Sequence, residues 1–129
     1  MTDSKEFRER AEKTIKSVGE QLDKLPSAMS QMLCAIDLSM AKSRQVVVAG
    51  PAAGVDTAAL LKEVRAVFAP NQLVLLADAG AGQAWLGKKL EALQGMSTVQ
   101  GKAAAYVCEN YVCQAPETDP AKLRELLTK

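Results

Sequence analysis

A chain of 129 residues, 48% of them hydrophobic, is long enough for one domain with a buried core. Its formal net charge of +1 leaves no basic excess for nucleic acid or an anionic membrane surface. Histidine is absent, which removes the usual neutral-pH proton shuttle and excludes a Ser–His–Asp or Cys–His triad within this polypeptide.

No apolar run approaches the length of a bilayer-spanning helix. The N-terminal MTDSKEFRERAEK is charged where a secretory signal is apolar, so a cytoplasmic location is expected. Three cysteines, an odd number, speak against a secreted disulfide framework. Carboxylate or lysine catalysis stays open, yet a self-contained enzyme is not the expected outcome.

Phe7, Ala11, Ile15, Val18, Leu22 and Leu25 recur at helical spacing, which predicts an amphipathic helix over residues 3–24. Glu6/Arg10, Glu9/Lys13, Glu12/Lys16 and Glu20/Lys24 place acid before base four residues apart, the favoured order on a wet helix face. Leu25-Pro26-Ser27 ends that helix and opens the next. From Ala28 to Ala41 the residues Met29, Met32, Leu33, Ile36, Leu38 and Met40 fall on more than one side of a helix. Such a helix belongs between layers, with Cys34 a small buried hydrophobe and the methionines core residues.

The character changes after Ser43. Gln45 to Gly50 is a β-branched run without polar alternation, as in a parallel strand covered on both faces. Asp56 is placed to cap a following helix, with Val55 and Leu60 as its hydrophobic staple. Leu60, Leu61, Val64, Val67 and Phe68 form that helix's buried stripe, and Pro70 stops it. Gln72 to Ala77 is a second buried strand, completing a βαβ unit.

Asp78 to Gly82 reads as a loop and Gln83 to Leu93 as a short helix. A glycine-punctuated link from Gly95 to Gly101 leads to a third strand, Ala103 to Cys108, and Tyr111 to Ala115 returns antiparallel as a fourth. Thr118 or Asp119 caps a closing helix with Pro120 at its first position. The expected fold class is α/β: a small, mostly parallel sheet with a βαβ unit and a C-terminal hairpin, preceded by a helical hairpin. Residues 1–43 form the helical hairpin and 44–129 the α/β unit, together one compact domain.

Two glycine sets, Gly50-Pro-Ala-Ala-Gly54 and Gly80-Ala-Gly82, raise a nucleotide question, though neither completes G-x-G-x-x-G. Gly50-Pro-Ala-Ala-Gly54 follows a strand and opens a helix, where a phosphate would sit on the helix N-terminus. A Walker A loop needs four residues between its glycines and then lysine; here the gap is three and Asp56 supplies a negative charge. Asp78 ends the second strand where a ribose-binding acid belongs. Gly50, Gly54, Asp56 and Asp78 are therefore the candidate nucleotide-binding residues. The plainer expectation is that these glycines relieve tight strand-to-helix turns. No organic cofactor and no metal is called for.

The stretch AYVCENYVCQAP, Ala105 to Pro116, holds Cys108 and Cys113. A two-residue turn at Glu109-Asn110 sets the cysteines diagonally, with Cβ atoms roughly 7 Å apart, too far for an unstrained disulfide. A four-residue turn sets them directly opposite, and a bridge becomes feasible. A hairpin offers no helix dipole to activate a thiol, and zinc lacks further ligands. A structural hairpin is the plain expectation, and a disulfide or redox pair at Cys108 and Cys113 the alternative.

AAAYVCENYVCQAPETDPAKLRELL, together with KSVGEQLDKLPSAMSQMLCAIDLSMAKSRQVVVAG, resembles the C-terminal end of a large family. It includes the bacterial YyaL-like proteins and spermatogenesis-associated protein 20, described as thioredoxin-domain-containing proteins. The resemblance implies that this chain is a fragment of a longer protein. It further implies a preceding thioredoxin-like domain with a Cys-x-x-Cys pair and an (α/α) barrel similar to N-acylglucosamine 2-epimerases and six-hairpin sugar enzymes. Residues 1–43 would then be the last hairpin of that barrel. Cys108 and Cys113 have a different spacing from the redox pair and do not inherit its role.

The expected function is a non-catalytic accessory domain, partnered by the remainder of the full-length protein, its helical barrel and thioredoxin-like domain. The alternatives are a nucleotide-binding domain at Gly50–Gly54 and Asp78, or a thiol switch at Cys108/Cys113. Neither nucleic acid nor membrane is an expected partner.

Overall fold

A computed structural model describes residues 4–109 and 112–128. The chain divides into two units, Met1–Lys42 and Ser43–Lys129, described separately.

In the first unit the long amphipathic segment is two helices, α1 (Lys5–Ser17) and α2 (Gly19–Lys24). Ser4 caps α1 by accepting from the Phe7 N–H. The break falls at Val18, just before Gly19, the poorest helix former short of proline. Of the i,i+4 ladder, Glu6–Arg10 closes at 2.7 Å, fully on the surface.

A 3-10 turn, Pro26–Met29, leads into α3 (Ser30–Met40). Here the sequence expectation fails. The helix is apolar, yet none of its residues is buried, and Cys34 is an exposed free thiol. Periodicity reports which side chains avoid water, not whether a partner is there to cover them.

The second unit is built on β1 (Arg44–Ala49), α4 (Val55–Ala66), β2 (Gln72–Ala77), α5 (Ala81–Gly87), α6 (Glu91–Gln94), β3 (Ala104–Glu109), β4 (Val112–Cys113) and α7 (Pro120–Leu127). The strand order is β2-β1-β3-β4. β1 pairs parallel with β2, and the other two pairs are antiparallel. The sheet is therefore mixed rather than mostly parallel. α5 and α6, interrupted at Lys88–Leu90, carry the chain over one face of β1, because β2 and β3 flank β1 on opposite sides. β3 consequently starts beside the C-terminal end of β1, with Ala104 opposite Ala49.

The strand alternation divides the core. Val46 and Val48 with Ala103, Ala105 and Val107 turn to one face, under Leu60 and Val64 of α4 and Leu123 and Leu127 of α7. Val47, Ala49, Ala77 and Cys108 turn to the other, under Leu93 and Met96. Burying one such aliphatic side chain contributes about 1.5–3 kcal/mol. β1 and β3 fit the fully covered description; β2, at the sheet edge, is only partly covered.

Two expected core residues lie outside this arrangement. Phe68 is 93% exposed, because α4 ends at Ala66 and the backbone turns extended at Val67. Val55 is 88% exposed and makes no staple. The closing helix is capped by Asp119, whose Oδ1 accepts from the Ala121 N–H, with Pro120 at its first position. Arg44 in β1 donates to Glu109 Oε1 and to the Leu127 carbonyl, both at 2.7 Å, tying two strands to the end of α7. Among the described residues, no helix is long and apolar enough to cross a membrane.

Candidate functional site

The C-terminal end of the parallel pair collects the nucleotide candidates. Ala49 and Ala77 are in register, and the Gly50 N–H donates to the Ala77 carbonyl at 3.0 Å. Gly50–Gly54 and Asp78 thus leave the same end of the sheet, the position at which open α/β sheets bind ligands.

The carboxylates there are already engaged by the protein's own backbone. Gly54, not Asp56, is the N-cap of α4. Asp56 lies in the first turn, where its Oδ1 accepts from the Thr57 N–H at 3.0 Å and its Oδ2 from the Ala103 N–H at 2.6 Å. The Ala103 bond, then the Thr57 bond, hold its carboxyl below the usual aspartate range. A charge stands where a phosphate would need to approach. Asp78 Oδ1 accepts from the Gly80 N–H at 2.9 Å, an Asx turn.

Gly50 has a packing reason for its identity. A Cβ on it would overlap Thr57 Oγ1 and come within 2.8 Å of Ala103 Cβ. The Thr57 hydroxyl is fully buried and has no hydrogen-bond partner among the described residues.

Gln83 was not singled out by its sequence, because a glutamine on a short helix looks like any solvated residue. Its Oε1 accepts from the Ala79 N–H at 2.7 Å, and its Nε2 donates to the Leu93 and Met96 carbonyls, both at 3.1 Å. It thereby holds Ala79, at a left-handed φ of 60°, against the end of α6. Gln100 and Gly101, with φ of 50° and 76°, form the turn between Val99 and Lys102 just before β3.

The cysteine question resolves in favour of a bridge: Cys108 and Cys113 form a disulfide. Of the two registers considered, the directly opposed one is found: Cys108 pairs with Cys113 and Glu109 with Val112. Asn110 and Tyr111, including the predicted start of the fourth strand, lie outside the described residues. The two sulfurs differ in setting. Cys108 belongs to the buried cluster of Leu93 and Met96, whereas Cys113 is exposed on β4.

A third feature is the apolar face of the helical unit. Met40 is 81% exposed, and Leu33 and Leu38 are likewise open to solvent.

No family model matches the chain, and no solved structure matches it. Among curated proteins it is similar to spermatogenesis-associated protein 20 of Homo sapiens, 32% identical over 126 residues. The proteins of the same name from Rattus norvegicus and Mus musculus are 31% and 30% identical over 127 and 126 residues. Each alignment takes in 98% of this chain but only 16% of the relative's length. The chain is thus homologous, over nearly its whole length, to the C-terminal region of the spermatogenesis-associated protein 20 family.

Proposed function

We propose that the chain is a non-catalytic accessory part of a longer protein and that its helical unit packs against a neighbouring layer of that protein. The observation that carries this is α3, an apolar helix without one buried residue. The relatives, about six times as long as the aligned segment, supply a reason for such a surface. The occupant is the remainder of the full-length protein, its helical barrel and thioredoxin-like domain, with residues 1–43 closing the barrel. The location is cytoplasmic, where a disulfide is more often transient or redox-sensing than purely structural.

The connectivity of the second unit supports the non-catalytic part. A βαβ unit joined through α5 and α6 to a ββα unit, with β1 between a parallel and an antiparallel neighbour, is a thioredoxin-type arrangement. Redox domains of that kind use a Cys-x-x-Cys pair whose thiol a helix N-terminus activates. The turn before α4 reads Gly50-Pro-Ala-Ala-Gly54 and holds no cysteine.

The nucleotide alternative is favoured by the convergence of Gly50, Gly54, Asp56 and Asp78 at one sheet end, and opposed by the Asp56 carboxylate in the first turn of α4. Titration with NAD(H) and ATP separates the two, since amide shifts confined to those residues would favour it.

The decisive experiment reads the genomic frame upstream of Met1 and expresses the polypeptide it encodes as a separate chain. The two are expected to co-purify one to one, and Leu33→Glu on this chain should abolish the association. An upstream frame that is closed, or a pair that stays apart, overturns the proposal.

A further inference from the structure

β4 is weakly held by everything except sulfur. It has two residues, Val112 and Cys113, and both are exposed, Val112 at 71%. No apolar burial anchors it to the sheet. Among the described residues its ties beyond the two-residue ladder are the Gln114 N–H to the Val107 carbonyl, 2.9 Å, and then the Ala105–Glu117 bridge. That bridge has independent support, because Glu117 Oε1 also accepts from the Thr118 and Asp119 N–H groups, both at 2.8 Å.

We propose that Cys108–Cys113 is a reducible staple that decides whether β4, Val112–Cys113, and the adjoining Gln114 stay on the outer edge of β3. The bridge spans a sequence separation of five, so it closes a short loop and constrains the unfolded chain less than a long one would. Its loss therefore acts locally, on the strand that lacks other anchors, and leaves the two-faced core in place.

The asymmetry of the sulfurs sets the chemistry. A dithiol reductant reaches the exposed Cys113 Sγ; its thiolate attacks there, the Sγ–Sγ bond breaks, and Cys108 leaves as a thiolate that takes a proton from water. The reductant's second thiolate then attacks its own sulfur in the mixed disulfide and releases Cys113 as a thiolate, which also takes a proton from water. Two electrons pass to the protein and the reductant departs as a cyclic disulfide. Expulsion of Cys108 into an apolar cluster disfavours the first step, because burial opposes its thiolate. The pair is thus a slow switch rather than a turnover catalyst.

The test uses the whole chain with dithiothreitol as the probe. Alkylation followed by mass measurement should count one free thiol before reduction, Cys34, and three after it. Hydrogen exchange at the Gln114 amide should accelerate at least tenfold on reduction, while the Val46, Val48, Ala105 and Glu117 amides keep their rates. Cys113→Ala, at an exposed position that leaves the core untouched, should show the fast Gln114 rate without reductant and no further response to it. Three thiols in protein prepared without reductant overturn the proposal. So does an unchanged Gln114 rate in reduced protein or in the variant, or an equal acceleration across β1.

Discussion

Leu60 and Leu33 are the same side chain in two circumstances. Leu60 projects from α4 into the sheet and is fully buried; Leu33 projects from α3 and is 42% exposed. The second unit folds around its own apolar residues, whereas the first carries an apolar helix that the other helices of that unit leave uncovered. An apolar pattern therefore locates a need for a partner without saying where the partner lies. In the α/β unit the need is met by strands on both sides of β1. In the helical unit it is the strongest physical ground for a neighbour.

That contrast can be broken or sharpened by substitution. The largest effect is expected for Leu60→Ala, which should lower stability by about 2–5 kcal/mol, the range for a buried leucine that leaves a cavity. Urea denaturation with an unchanged slope would measure it; a fall of less than about 1 kcal/mol would mean that the sheet-covering core is not where the stability resides.

Asp56→Asn should have a smaller effect that depends on pH. The folded carboxyl titrates below its ordinary value, so its stabilisation is complete above the unfolded pKa of about 3.9 and is lost as pH falls through the folded value. The urea midpoints of wild type and variant should differ most near neutrality and converge from about pH 4 downward. A gap that stays constant into acid would show that geometry rather than charge makes the clasp to Ala103.

The smallest effect belongs to the helical unit. Leu38→Gln with Met40→Gln should change the stability of the chain by no more than about 0.5 kcal/mol, as for surface positions. The same pair should reduce the binding of a fluorescent apolar dye. A loss of several kcal/mol would place those side chains in a core and remove the contrast.

Much of the α/β unit was legible because β-branched runs and turn residues act locally. Gln72 to Ala77 is a strand with the bounds its sequence suggests, and Asp119-Pro120 starts the last helix. Strand direction was not legible, because it depends on how the α5–α6 connection folds back, and apolar pattern is indifferent to that. The choice between a plain hairpin and a disulfide was open for a related reason: moving a turn by one residue changes which side chains face each other. Phe68 was misplaced since it lies two residues past the last helical turn, beyond the reach of the helical period. At the candidate site the use of Asp56 was not legible. Its partner at Ala103 is 47 residues away, a distance at which local pattern is silent.

That last contact has a kinetic consequence. The opening strand–helix–strand segment cannot finish its own upper rim, because the donor that completes it belongs to the chain entering β3. A nascent polypeptide halted before Ala103 would hold β1 with one bare side and a frayed entrance to its first crossover helix. Cooperative closure of the whole unit must therefore await the arrival of its second half.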